Sequence, residues 1–292
     1  MSDFAATIRA GASDWPVAPR AVFTIARKEV GDALRNRWFI LYTIAFVALS
    51  LGLSFLSLVG TGATGFAGFG RTAAGLINLV ILIVPLMALT AGAASLAAER
   101  ERGSLAYLLA QPVSRLEVLL GKYLGLAAAL FASIALGFGA SAAVIAWKSG
   151  TDDALNFARL VGLAYALGLA MLSVGMLVST IARRASSANG AAIFLWLTFV
   201  FLGDLGLMGS AMIFKLHVTD LFRLSLLNPM QVFKMASLES VHASLDVLGP
   251  AGLYAMQAWG NQLSLLLGGV LAAWIIAPLG LSAAIFIRRG GS

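Results

Sequence analysis

The residues that could do chemistry gather in one short stretch, Glu99-Arg100-Glu101-Arg102-Gly103-Ser104, at the end of a long apolar run. Four charges mark the exit from the bilayer, and Gly103 permits a sharp turn behind them. Ser104 has the character of an N-cap. Leu105, Leu108 and Leu109 then fall at i, i+3 and i+4, an apolar ridge on a short helix that Pro112 limits to about two turns. A leucine ridge displayed to water needs a partner. Packing back on a membrane is the alternative, and the residues alone leave the two near even. Ser114-Arg-Leu-Glu117 has the spacing of a capping box opening the next apolar run.

Catalysis has few materials. There are no cysteines, which excludes disulfides, thiolate zinc sites and cysteine nucleophiles. The apolar runs hold almost no His, Asp or Glu, so an embedded enzyme would lack its clustered groups, and no catalytic residue is expected. The only Gly-Lys pair, Gly121-Lys122, is followed by Tyr123. The phosphate-cradling Gly-x-x-x-x-Gly-Lys-Ser/Thr is therefore missing, and no nucleotide or cofactor site is expected. Five of the nine methionines, Met208, Met212, Met230, Met235 and Met256, lie on or near one polar stretch with His217 and His242. Thioether and imidazole suit Cu(I), which makes Met208, Met212, Met230 and His217 weak candidate ligands. Methionine is also an adaptable packing residue; with no Met-x-x-Met run, packing is the favoured reading. Asp204 falls either at membrane depth, where an ionisable group is a functional candidate, or one turn beyond it.

The elements that must position these residues are apolar blocks. The chain has 292 residues, 60% hydrophobic and 11% charged, with mean hydropathy +0.92, against roughly a quarter charged in soluble domains. A helix crossing ~30 Å of hydrocarbon needs about 20 residues. Six blocks qualify: Trp38 to Val59, Leu76 to Ala98, Val118 to Trp147, Leu160 to Ile181, Ala191 to Met208 and Leu263 to Ile287. Barrel strands would instead alternate over about ten residues. The predicted fold is an all-α polytopic membrane protein of one domain, with arm 1–37, five spans within 38–208, an external segment 209–262 and the last span 263–287. No cleavable leader is evident, since the first 37 residues lack an apolar core and include Pro16 and Pro19; the first span is expected to direct insertion.

Orientation follows from the basic residues. Arg9, Arg20, Arg27, Lys28, Arg35, Arg37, Arg100, Arg102, Arg115, Lys122, Arg183, Arg184, Arg288 and Arg289 fall on one side, fourteen of the twenty. Both termini are therefore expected in the cytoplasm. The net charge of +7 flanks apolar blocks, which points to anchoring on an anionic bilayer rather than to nucleic acid. Before the first span, Val22, Ala26, Val30, Ala33 and Leu34 mark one face of an amphipathic helix, with Arg27, Lys28, Asp32 and Arg35 elsewhere. In the external segment the run Leu221 to Phe233, broken at Asn228-Pro229, predicts helices on or near the outer surface, or a re-entrant piece. Glycines such as Gly121, Gly125, Gly137, Gly168 and Gly175 permit close packing, within the subunit or between two copies.

The run Glu99 to Leu105, then Leu108-Leu-Ala-Gln-Pro-Val-Ser-Arg115, then Gly121-Lys122, resembles the signature of type-2 ABC exporter permeases. The resemblance extends over the chain, through the arm with Ala26-Arg27-Lys28-Glu29, the six spans and the segment before the last. Arg27-Lys-Glu…Leu34-Arg-Asn-Arg-Trp38 and Leu227-Asn-Pro…Phe233 are most similar to permeases of nitrous oxide reductase maturation. Ser104 stands where many relatives have threonine, and the stretch before Pro19 has no assigned counterpart.

The resemblance implies an elbow helix carrying Arg27, Lys28 and Glu29. It implies a coupling helix in which Leu105, Leu108 and Leu109 are packing knobs and Glu99 to Arg102 electrostatic guides. Two copies of the chain would pair in a bacterial inner membrane, each docking one separate ATPase that holds the ATP and Mg²⁺. The work would be export or a shape change in copper-site maturation, with sulfur or copper delivered and a periplasmic partner on 209–262. Export of a lipid, drug or other small solute is the alternative. An ATP-independent secondary transporter is the remaining rival, though only Pro85 and Pro278 interrupt the spans and no repeat is visible.

Overall fold

A computed structural model describes residues 18–59, 65–149, 154–203, 217–240, 255 and 257–289. In chain order its α-helices are α1 (Pro19–Arg35), α2 (Arg37–Val59), α3 (Gly65–Glu101), α4 (Ser104–Leu109), α5 (Arg115–Ser149), α6 (Ala154–Ile181), α7 (Ala185–Phe201), α8 (Val218–Leu226), α9 (Pro229–Ser240) and α10 (Leu263–Arg289). Among the described residues there is no strand. Five helices, α2, α3, α5, α6 and α10, are long and apolar enough to cross a membrane, and α7 is a shorter apolar helix. The six apolar blocks read from the sequence fall on these six helices. The end of the fifth block, 204–208, lies outside the described residues and takes Asp204 with it.

Apolar surface gives no drive for helices to associate inside lipid, so small residues that let backbones meet decide which helices pack. The crossing of α3 and α6 is built that way. A Cβ on Gly92 would sit 2.8 Å from the Leu172 carbonyl oxygen, and one on Gly175 2.6 Å from that of Leu89. Further along the same contact, Ser179 Oγ accepts the N–H groups of Leu96 and Ala97, each at 2.9 Å. Between α2 and α5, the Phe46 ring fills the space a side chain on Gly137 would need and stacks obliquely on Phe138 with centroids 5.7 Å apart.

Gly121 and Gly125 serve α1. Side chains there would overlap Ile25, at 2.7 Å, and the Ala26 carbonyl oxygen, at 2.5 Å, so α1 lies against the start of α5 inside one subunit. The face of α1 that packs is Ile25, Glu29 and Ala33. The expected apolar stripe is corrected on that point: Leu34 is exposed, as is Phe23, and a carboxylate takes the middle of the buried face.

At the other end, α7 passes into a π turn at Leu202 and Gly203, and the turn between α8 and α9 meets it at Phe199. Pro229 suits the first position of α9, where its missing N–H is not needed. Asn228 caps that helix, its Oδ1 accepting the Met230 N–H at 2.9 Å. The same side chain turns its Nδ2 to the Phe199 carbonyl of α7, at 2.6 Å. One amide thus ties the start of α9 to the last turns of α7. The Trp274 indole donates to the Leu226 carbonyl at 3.4 Å and meets the Phe199 ring edge-on. Trp274 lies about 16 Å along α10 from Leu263, at roughly 1.5 Å per residue. The turn between α8 and α9 is therefore seated deep beside α10. Nine of the twelve residues of α9 are buried, packed against α6 and α10.

Candidate functional site

The turn after α3 is made by Gly103, whose φ of 74° is left-handed and suits a residue without Cβ. Gly103, not Ser104, holds the N-cap position of α4, and the Ser104 hydroxyl reaches back to the Glu99 carbonyl at 3.3 Å. The leucine ridge expected to face water turns inward. Leu105 is buried at 2% exposure, with Leu108 and Leu109 partly buried against the core. In a six-residue helix only one face can reach the bundle, and the three leucines claim it because they gain most by leaving water. The opposite face is left to Tyr107, 75% exposed, beside Ala106 and Gln111.

The four charges before the turn are corrected in the same sense, because three of them are engaged inside the subunit. Arg100 donates to the Ala182 carbonyl oxygen at 2.6 Å and to that of Ser179 at 3.3 Å, closing the end of α6. Glu101 accepts the Ala185 N–H at 2.9 Å, closing the start of α7. Arg102 is exposed, bonded to its own Ala98 carbonyl.

Glu99 belongs to a buried cluster. Lys122 Nζ, 2% exposed, lies 2.8 Å from Glu29 Oε2 and 2.9 Å from Glu99 Oε1. Lys28 reaches Glu99 from the surface at 3.4 Å and Asp32 at 3.8 Å. A lysine at the head of an apolar helix is expensive unless paired, and two carboxylates from α1 and α3 meet it. Glu99 Oε2 remains buried without a hydrogen-bond partner. Burial pushes the Glu29 carboxyl above its ordinary value, against the opposing pull of Lys122. Of the elbow residues named from sequence, Arg27 is exposed, Lys28 bridges, and Glu29 is buried.

Lys122 itself was not singled out by sequence reasoning. Its only sequence signal was an ammonium group on the first turns of an apolar helix. The capping box at Ser114 and Glu117 is present, with the Ser114 N–H on Glu117 Oε2 at 2.6 Å and the Glu117 N–H on Ser114 Oγ at 3.2 Å. Glu117 Oε1 also accepts the Ala18 N–H ahead of α1, at 2.5 Å.

Residues 23–290 match the model of the family described as ABC-2 family transporter protein. The chain belongs to the ABC-2 transporter family. This permease is 33% identical over 274 residues to a probable ABC transporter permease protein NosY from Pseudomonas aeruginosa, covering 92% of this chain and 98% of that one. It is 32% identical over 277 residues to the protein of the same description from Stutzerimonas stutzeri, with the same coverage.

In this ABC-2 permease the candidate copper ligands do not come together among the described residues. Met230 and Met235 are core residues of α9, His217 precedes α8, and Met208, Met212, Met256 and His242 lie outside the described residues. No group of three His, Asp or Glu side chains that could hold a metal occurs among the described residues. A cavity of about 300 Å³ opens between α2, α3 and α7, walled by Trp38, Tyr42, Met87 and Ile193, with Thr90 and Asn189 as polar groups.

Proposed function

We propose that this permease is the membrane-spanning half of an ATP-driven complex, in which α4 is the coupling helix and its outward face around Tyr107 docks a separate ATPase. The carrying observation is the build of α4: a left-handed glycine turn, leucines locked into the permease, and a large aromatic side chain left facing out. Tyrosine at the centre of a small exposed patch is the residue type that anchors interfaces. Exposed Arg102 and Gln111 give that patch a polar rim. In this reading α7 is the fifth of six spans, both termini face the cytoplasm of a bacterial inner membrane, and α1 is the elbow at its inner surface. Two permeases pair, two ATPases bind the ATP and Mg²⁺, and their closure biases the spans between two states. The permease itself catalyses nothing and holds no cofactor.

The likeness to the NosY permeases over nearly the whole chain supports a place in the maturation of the nitrous oxide reductase copper site. The complex would there move sulfur or copper, or drive a periplasmic protein seated on 209–262. A second reading, export of a small amphipathic solute, is favoured by the aromatic cavity between α2, α3 and α7.

Affinity purification from the native membrane, followed by mass spectrometry, tests the central claim. An ATPase is expected in equal copy number. Tyr107→Asp should abolish that association while leaving the melting temperature of the permease unchanged. A permease that runs alone, or a Tyr107→Asp variant that keeps its ATPase, would overturn the reading.

A further inference from the structure

Charged side chains flanking the connection between α3 and α5 reach four other helices, α1, α6, α7 and α10. Arg100 sits on the last carbonyls of α6, and Arg115 Nη1 donates to the Ile287 carbonyl near the end of α10 at 2.8 Å. Glu101 takes the first N–H of α7, and Glu117 takes the Ala18 N–H at the head of α1. Glu99 reaches α1 through Lys122 and Glu29. Arginines stand at C-termini and glutamates at N-termini, the sense in which a charge complements the helix dipole. Successive helical residues point about 100° apart, so Glu99, Arg100 and Glu101 can serve three directions from one turn of α3.

We propose that this connection is a distributor: a displacement delivered at α4 moves the charged ends of α1, α6, α7 and α10 as one body. Arg100, Glu101, Arg115, Glu117 and Lys122 are its positioning residues. The inference rests on the reading that an ATPase docks on α4. It adds the route by which that push reaches four further helices.

The chain has no cysteine, so introduced thiols have no native competitor. Ala110→Cys and Arg288→Cys, both at exposed positions, place one thiol at the end of α4 and one at the end of α10. The complete permease–ATPase complex in lipid nanodiscs is treated with a short bis-maleimide, with and without ATP plus vanadate. The expected crosslinking rate is the same in both states. Adding Arg115→Ala should make it drop several-fold on trapping while the ATPase still co-purifies, and Arg115→Lys should restore it. A rate that changes on trapping with Arg115 intact, or stays unchanged in Arg115→Ala, overturns the distributor. Glu101→Ala, with Ser186→Cys in place of Arg288→Cys, puts the α7 clamp to the same comparison and decides the matter if Arg115→Ala does not fold. If no ATPase accompanies the parent complex, the docking reading fails and takes the distributor with it. A clamp that fails with the ATPase bound leaves docking intact.

Discussion

The two ends of this bundle face the same problem and answer it with different chemistry. Every helix end leaves unpaired N–H or C=O groups, costly wherever water is excluded. At the end that carries α4, the groups are closed by ions: Arg100 on α6, Arg115 on α10, Glu101 on α7, Glu117 on α1. At the opposite end the work falls to neutral groups, with Asn228 joining α7 to α9 and the Trp274 indole on Leu226. Charged clamps are strong but tolerable only where the spare charge can reach water or a counter-ion. A neutral amide carries no such debt, and it can be seated deep beside α10.

The largest break in that comparison should come from Lys122→Met, which strands Glu29 and Glu99 in a buried site. Removing one partner of a buried ion pair costs about 3–5 kcal/mol, read as a fall in melting temperature in detergent. The triple variant Glu29→Leu, Lys122→Met, Glu99→Leu should recover most of that stability. At the neutral end, Asn228→Leu orphans the Met230 N–H and cuts the tie to the Phe199 carbonyl, which keeps the Leu202 N–H. At about 1–3 kcal/mol for a buried unsatisfied group, its melting temperature should fall less than that of Lys122→Met. Asn228→Asp keeps the α9 cap but loses the donor, and should fall between Asn228→Leu and the parent.

Gly125→Val drives a side chain into the Ala26 carbonyl and Glu29. An overpacking cost of about 1–3 kcal/mol should loosen α1, seen as faster amide exchange over residues 19–35. Ser114→Ala removes one half of the capping box, for about 1 kcal/mol. Least of all, acidification should separate the parent from Glu29→Gln. The folded Glu29 titrates above the ordinary 4.5, so the folded state takes up its proton first. The parent should then gain melting temperature on the variant as pH falls from that raised value toward 4.5, a gain lost again as pH rises through it.

The helices themselves were legible because a 20-residue apolar block has few alternatives in a membrane protein, and the Gly103 turn followed from a glycine placed between two helical patterns. Contacts between distant segments were not. Leucines at i, i+3 and i+4 define a ridge on α4 but not which way it faces; that depends on where α3 ends relative to the bundle. Glu99 and Lys122 read as surface charges beside a helix end because their partner, Glu29, is some seventy residues away from the first of them in sequence. Asn228-Pro229 carried a usable sign of a helix start, yet nothing local tells that the other half of the amide belongs to Phe199.

That shared amide has a consequence for how the protein is made. As the chain leaves the ribosome, α7 emerges well before the residue that ties its end to α9. Until Asn228 arrives, the Phe199 carbonyl is held only by the Leu202 N–H of its own helix end. The turn that delivers Asn228 is itself seated against Trp274, so the tie between α7 and α9 takes its final place only when α10 has entered beside it.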